Sequence, residues 1–247
     1  MQTVDYDYIL ITFQRGRHEL KDPTRLWMDG VVPFKISNSF GSKGKGTIYL
    51  AMREIMMKTC IRFVPKKHYS NAFIFIEPGI GCRASIEKLL SGKITISRVC
   101  NSKGIIIHEL MHVLGFHHEH NRPDRDEYVK INWDNIKEGA YHHFQKLPED
   151  LVQIANFSYD YDSIMHYGSH RFSKNRGVPT IITLKKNVTI GQRKGLSQSD
   201  ILKIVKLYKC TMDVEKARED SLKTTKLADM LGDTNSFWKV VYITENN

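Results

Sequence analysis

His108-Glu109-Leu110-Met111-His112 is followed by Gly115 and His118, a set that can furnish three imidazole ligands and a general base around one zinc ion. On a helix, positions four apart lie roughly 40° apart around the axis and about 6 Å apart along it, so His108 and His112 project from one face. If that helix continued, His118 would lie about 15 Å from His108 along the axis and point elsewhere. The helix therefore has to stop first, and Gly115 permits this, because a residue without Cβ can take positive φ and turn the chain back. His117, His118 and His120 all follow the glycine, and only His118 fits H-E-x-x-H-x-x-G-x-x-H. Three protein ligands leave a fourth position for water, the open arrangement of catalytic zinc. Glu109 is then the general base on zinc-bound water, whose pKa the metal lowers to around 7. The bland alternative is an amphipathic helix that carries histidines by accident. With 11 His and 16 Gly in 247 residues, the five specified positions coincide by chance on the order of once in ten thousand such chains, which favours the metal.

The elements that must hold these residues are legible in part. Val31 to Ser37, Ile61 to Val64, Ala72 to Ile76 and Ile94 to Ser97 have the β-branched and aromatic content of strands. Between the first two, Ile48, Ala51, Met52, Ile55 and Met56 recur at helical spacing, with Gly46-Thr47 as a start signal. The spacing predicts core packing for those methionines, and it predicts a zinc helix from about Ser102, a suitable N-cap, to Leu114. After His118 the chain is loop-rich, including Asn121-Arg-Pro-Asp-Arg-Asp126, until Ser199 to Lys209, where Ile201, Leu202, Ile204, Val205 and Tyr208 suggest a final helix. There is no internal repeat.

A chain of this length with 41% hydrophobic residues can bury a proper core in one large or two small domains. No apolar run approaches membrane-spanning length, and Met1 onward lacks the basic start and apolar centre of a signal peptide. The net charge of +10 favours anionic partners such as acidic peptides, glycans or lipid headgroups. It does not point to nucleic acid, since the basic residues are scattered and no nucleic-acid motif is present. Cys60, Cys82, Cys100 and Cys210 contain no C-x-x-C pair, so two disulfides are natural, with four buried thiols as the alternative. Disulfides and the sequons Asn156-Phe-Ser and Asn187-Val-Thr would both fit a secreted, extracellular glycoprotein.

The stretch His108 to Asn135, HELMHVLGFHHEHNRPDRDEYVKINWDN, closely resembles the signature of the astacin family of metzincin zinc proteases. Ser163-Ile-Met-His-Tyr167 resembles that family's Met-turn, and further similarity runs through Arg25-Leu-Trp27, Asp29-Gly-Val-Val-Pro33, Cys60-Ile-Arg-Phe63, Ile190-Gly-Gln-Arg193, Leu196-Ser and Leu207-Tyr-Lys-Cys210. The resemblance implies an α+β fold: a metzincin-like catalytic domain over residues 18–211, with a twisted mixed N-terminal sheet, a backing helix, the zinc helix and a loop-rich C-terminal half ending in a helix. Residues 1–17, closing on Arg15-Gly16-Arg17, would be a leader or prosegment remnant, and 212–247 a tail without a recognisable module. It further implies a zinc-dependent endopeptidase acting on internal peptide bonds of extracellular proteins. One Zn2+ would be held by His108, His112 and His118, with Glu109 and Tyr167 catalytic.

Tyr167 is similar to the residue that swings from the metal to stabilise the oxyanion, a role a phenolic OH can fill; Met165 would floor the site, and His166 would not be a ligand. The family's disulfides map onto Cys60–Cys210 and Cys82–Cys100, which on a chain-entropy basis would contribute roughly 5 and 3 kcal/mol. Glu119 matches the position that meets a new N-terminus after processing near Arg17. The 1–17 leader departs from the pattern in lacking an F-x-G-D-type segment. Protein or peptide substrates are the expected partners, beside an anionic glycan or matrix surface, and Arg176 would favour acidic side chains just after the cleaved bond. Three other readings compete: a peptidase using Glu119 as third ligand, an inactive zinc-binding toxin or adhesion module, and a basic glycan-binding protein with incidental metal.

Overall fold

The computed structural model describes residues 26–68, 70–86, 91–149 and 157–210. The expected leader at 1–17, Asn156 of the first sequon and the tail at 212–247 lie outside the described residues.

Alternating apolar residues build the first layer. In β1 (Val31–Ile36) Val32 and Phe34 are buried, in β3 (Ile74–Pro78) Ile74 and Ile76, and in β5 (Gly92–Ile96) Ile94 and Ile96, so each strand turns one face inward. With β2 (Arg62–Pro65) and β4 (Cys82–Ile86) they form a five-stranded sheet in the order β2-β1-β3-β5-β4. All neighbours are parallel except β4, which runs antiparallel to β5 at the edge. The sheet is mixed, as the fold class requires. β4 is the strand that sequence patterning misses, because Cys-Arg-Ala-Ser-Ile has little β-branched content and its place is set by pairing with β5.

Helix α1 (Ser42–Lys58) buries Ile48, Ala51, Met52, Ile55 and Met56, the predicted stripe. It begins four residues before the expected start at Gly46. Gly44 is buried inside the helix, where an added Cβ would stand 3.1 Å from the Phe40 ring, so that glycine serves packing and not termination. Helix α2 (Lys103–Val113) packs on α1 and on β4, with Ser102 and Leu114 at its ends as expected. Helix α3 (Gln198–Leu207) is capped by Ser197, whose hydroxyl accepts the Asp200 N–H while Asp200 accepts the Ser197 N–H.

A second, smaller sheet pairs β6 (Val129–Ile131) with β7 (Ile181–Thr183) antiparallel, within the region that reads as loop. Two cores result. The larger joins the main sheet, α1, α2, Ile164 and Met165; the smaller gathers Val129, Phe144, Tyr159, Tyr167 and Phe172. The turn 163–167 therefore spans from one core to the other. Disulfides Cys60–Cys210 and Cys82–Cys100 are both formed, in the expected pairing.

Candidate metal centre

The second half of α2 is buried on every side, from Ile106 to Val113, so its histidines lie inside the molecule. Gly115 has φ +97°, and the helix closes with two bonds: Gly115 N–H to the His112 carbonyl at 2.9 Å and Phe116 N–H to the Met111 carbonyl at 3.0 Å. This is the Schellman pattern, which needs a left-handed residue at that position. It reverses the chain as the spacing predicts, and it also orients a ligand, since the Phe116 carbonyl accepts the His112 Nδ1–H at 2.8 Å.

His108, His112 and His118 converge. The His108 Nε2 lies 3.2 Å from the Nε2 of His118 and 3.2 Å from that of His112. The approach of His108 to His112 is not a hydrogen bond. The His108 Nδ1 sits 2.8 Å from the Ile164 carbonyl and the His112 Nδ1 2.8 Å from that of Phe116, partners that can only accept, so both rings carry their proton on Nδ1 and present a lone pair at Nε2. Facing lone pairs repel unless a cation lies between them. Zinc–nitrogen bonds of 2.0–2.1 Å in a tetrahedron separate ligand atoms by about 3.3 Å, so both separations from His108 suit zinc, and all three donor atoms lie within 4.8 Å of one another. Burial holds His108 and His118 well below the usual imidazole range and His112 at about 3, which keeps all three neutral and competent as ligands.

Glu109 follows the first ligand on α2 and is 1% exposed. The Tyr167 ring is buried, its centroid 4.4 Å from that of His118 and 4.1 Å from that of His120. The three histidines and the Tyr167 ring are thus gathered at one place in the fold, with Glu109 next to His108 along α2. His166 is turned away: its Nε2 accepts the Tyr159 hydroxyl at 2.7 Å and its Nδ1–H reaches the Tyr167 carbonyl at 2.8 Å. Met165 is buried in the larger core.

Glu119 does not join the donor set. Its carboxylate receives Lys203 Nζ at 2.7 Å, Arg122 Nη1 at 3.0 Å and the Asp160 N–H at 3.0 Å, which rules out the reading of Glu119 as third ligand. Among the described residues Glu119 meets two cations, Lys203 and Arg122, while the new N-terminus expected beside it lies outside them.

Sequence reasoning misses several supports. Arg193 donates from Nη1 to the His166 carbonyl at 3.0 Å, and an added Cβ at Gly104 would stand 1.8 Å from the Arg193 carbonyl oxygen. The segment carrying Arg193 therefore presses directly on the first turn of α2. The motif Ile190-Gly-Gln-Arg193 is visible in the sequence, but its contact across the fold is not.

A family model described as Astacin, a peptidase family, matches residues 19–209. The chain belongs to the astacin family. It is 42% identical over 199 residues to Zinc metalloproteinase nas-15 of Caenorhabditis elegans, covering 80% of this chain and 34% of that protein. Low choriolytic enzyme of Oryzias latipes is 40% identical over 181 residues, covering 72% of this chain and 65% of that protein. Among solved structures, High choriolytic enzyme 1, a hatching enzyme zinc-protease from Oryzias latipes, superposes with a TM-score of 0.70 at 41% identity, covering 75% of this chain and 94% of that one. This astacin domain spans between 34% and 43% of the length of the first three worm relatives it matches. The three-histidine donor set is that of a zinc site, in keeping with the family.

Proposed function

We propose that this astacin domain is a zinc-dependent endopeptidase that hydrolyses internal peptide bonds of extracellular proteins, with residues 18–211 as the catalytic unit. The convergence of three neutral Nε2 atoms beside Glu109 carries the reading. His108, His112 and His118 would hold the ion, which supplies Lewis acidity for a water and for the scissile carbonyl. Glu109 takes the proton of the attacking water and returns it to the leaving amine. The Tyr167 hydroxyl donates to the charge developing on the carbonyl oxygen. An extended substrate would add to the outer edge of β4, the antiparallel edge strand packed against α2.

The two disulfides support an oxidising, extracellular setting, and Asn187 of the second sequon is exposed at φ +58° in a turn, a position a glycan could occupy. No helix among the described residues is long and apolar enough to cross a membrane. Arg176 is exposed, and the basic balance favours acidic residues just after the cleaved bond and an anionic glycan or matrix surface as a partner. The deciding experiment incubates the purified chain with a mixed proteome, with and without a zinc chelator, and sequences the products. Internal cleavage that the chelator abolishes is expected, and cleavage indifferent to it would overturn the reading. An acidic preference after the cut bond is read from the same products.

A further inference from the structure

Asp200 is the third residue of α3, where a carboxylate suits the helix N-terminus and closes the capping box with Ser197. A cap alone needs no burial, yet Asp200 is 1% exposed. Burying a carboxylate is unfavourable unless donors surround it. One of them, the Ser197 N–H, belongs to its own cap at 3.0 Å. The other two come from the turn that joins the cores: Ser163 Oγ donates to Oδ1 at 2.7 Å and the Ile164 N–H to Oδ2 at 2.8 Å. The Ser163 hydroxyl in turn accepts the Met165 N–H at 3.0 Å. A single carboxylate thus fixes three consecutive residues.

Those residues hold His108 and the residue that follows His118. The Ile164 carbonyl accepts the His108 Nδ1–H at 2.8 Å, which sets the ring's tautomer and aim. The Met165 carbonyl accepts the N–H of Glu119, the residue after His118, at 3.1 Å. We propose that Asp200 is a positioning residue for the zinc centre: through residues 163–165 its carboxylate sets the aim of His108 and its separation from His118. The inference rests on the zinc reading above. α3 therefore reaches the metal through its N-terminal turn, and its first turn is part of the site's support.

The test measures zinc affinity by competition with a chromophoric chelator and the visible spectrum of the cobalt-loaded protein, for the parent, Asp200→Asn, Ser163→Ala and Ser197→Ala. Asp200→Asn and Ser163→Ala should weaken zinc binding about 10- to 100-fold and shift the cobalt bands, while Ser197→Ala, which removes the hydroxyl that caps α3 and donates to Asp160 but leaves the bonds from Asp200 to the 163–165 turn, should lower Tm with zinc affinity held within about twofold. Ser163→Ala carries the test if Asp200→Asn does not fold. Parent-like affinity and spectra in both variants overturn the proposal, as does an equal loss in Ser197→Ala, which would mark general weakening of α3. A parent that binds no zinc at all sinks the zinc reading itself, and the proposal with it.

Discussion

Glu109 and Glu119 carry the same group and meet opposite surroundings. Glu119 is locked among Lys203, Arg122 and a backbone amide, whereas Glu109 lies next to a ligand on α2. Glu109→Gln should therefore lower kcat by about 10²–10⁴ and leave zinc stoichiometry unchanged, measured by peptide cleavage and metal analysis. Retained activity would remove Glu109 from the base role. Tyr167→Phe should lower kcat by about 10² with KM little changed, as expected for a donor that acts only in the transition state. Lys203→Met should instead act on folding. Lys203 and Glu119 are 4% and 2% exposed, so the buried Oε2 would lose its partner while Arg122 still meets Oε1, at a loss of about 3 kcal/mol read from denaturant unfolding. The ligands and Glu109 are legible in the sequence because one helix and one turn fix their spacing. Asp200 and Lys203 are not, since their partners lie 36 and 84 residues away and only packing brings them together.

At the scale of elements, glycines and one carboxylate decide how the zinc helix is seated. Gly115→Ala has room, the nearest atom to an added Cβ being Leu26 Cδ2 at 4.0 Å, so its penalty is the left-handed backbone at φ +97°, about 1–2 kcal/mol. Gly104→Ala has no room at all against the Arg193 carbonyl, and should lower Tm by more. Equal Tm losses in the two variants would contradict this assignment. Glu54 joins α1 to Lys103 at the start of α2, to Lys58 and to the Leu196 N–H. Burial pushes its carboxyl up, but the hydrogen bonds from Lys103, Lys58 and Leu196 outweigh it and hold the pKa below the ordinary value of 4.5. A depressed folded pKa stabilises above the unfolded value, and that contribution is lost as pH falls through the folded one. Glu54→Gln should accordingly flatten the stability loss seen on acidifying below about pH 4.5, followed by thermal melts across that window. Strands β1, β3 and β5 announce themselves by alternation, while β4, β6 and β7 are too short or too polar to do so before their partners are placed.

At the largest scale, the described residues form two cores joined by the turn 163–167, with His108 and His112 on α2 and Tyr167 rooted in the smaller core. Zinc bound only by the folded state should raise Tm with concentration, by the mass-action term of about 1.4 kcal/mol per tenfold excess over Kd. A Tm insensitive to chelator would argue against a site shared between the cores. For the peptidase proposed above, Cys60–Cys210 has a further consequence. It spans 150 residues and encloses both α2 and α3 in one covalent ring. One self-inflicted cut anywhere inside that ring yields two pieces still tethered, which migrate as a single species on a gel until a thiol is added. Samples that look intact can therefore be nicked, and autolysis should be judged only after reduction.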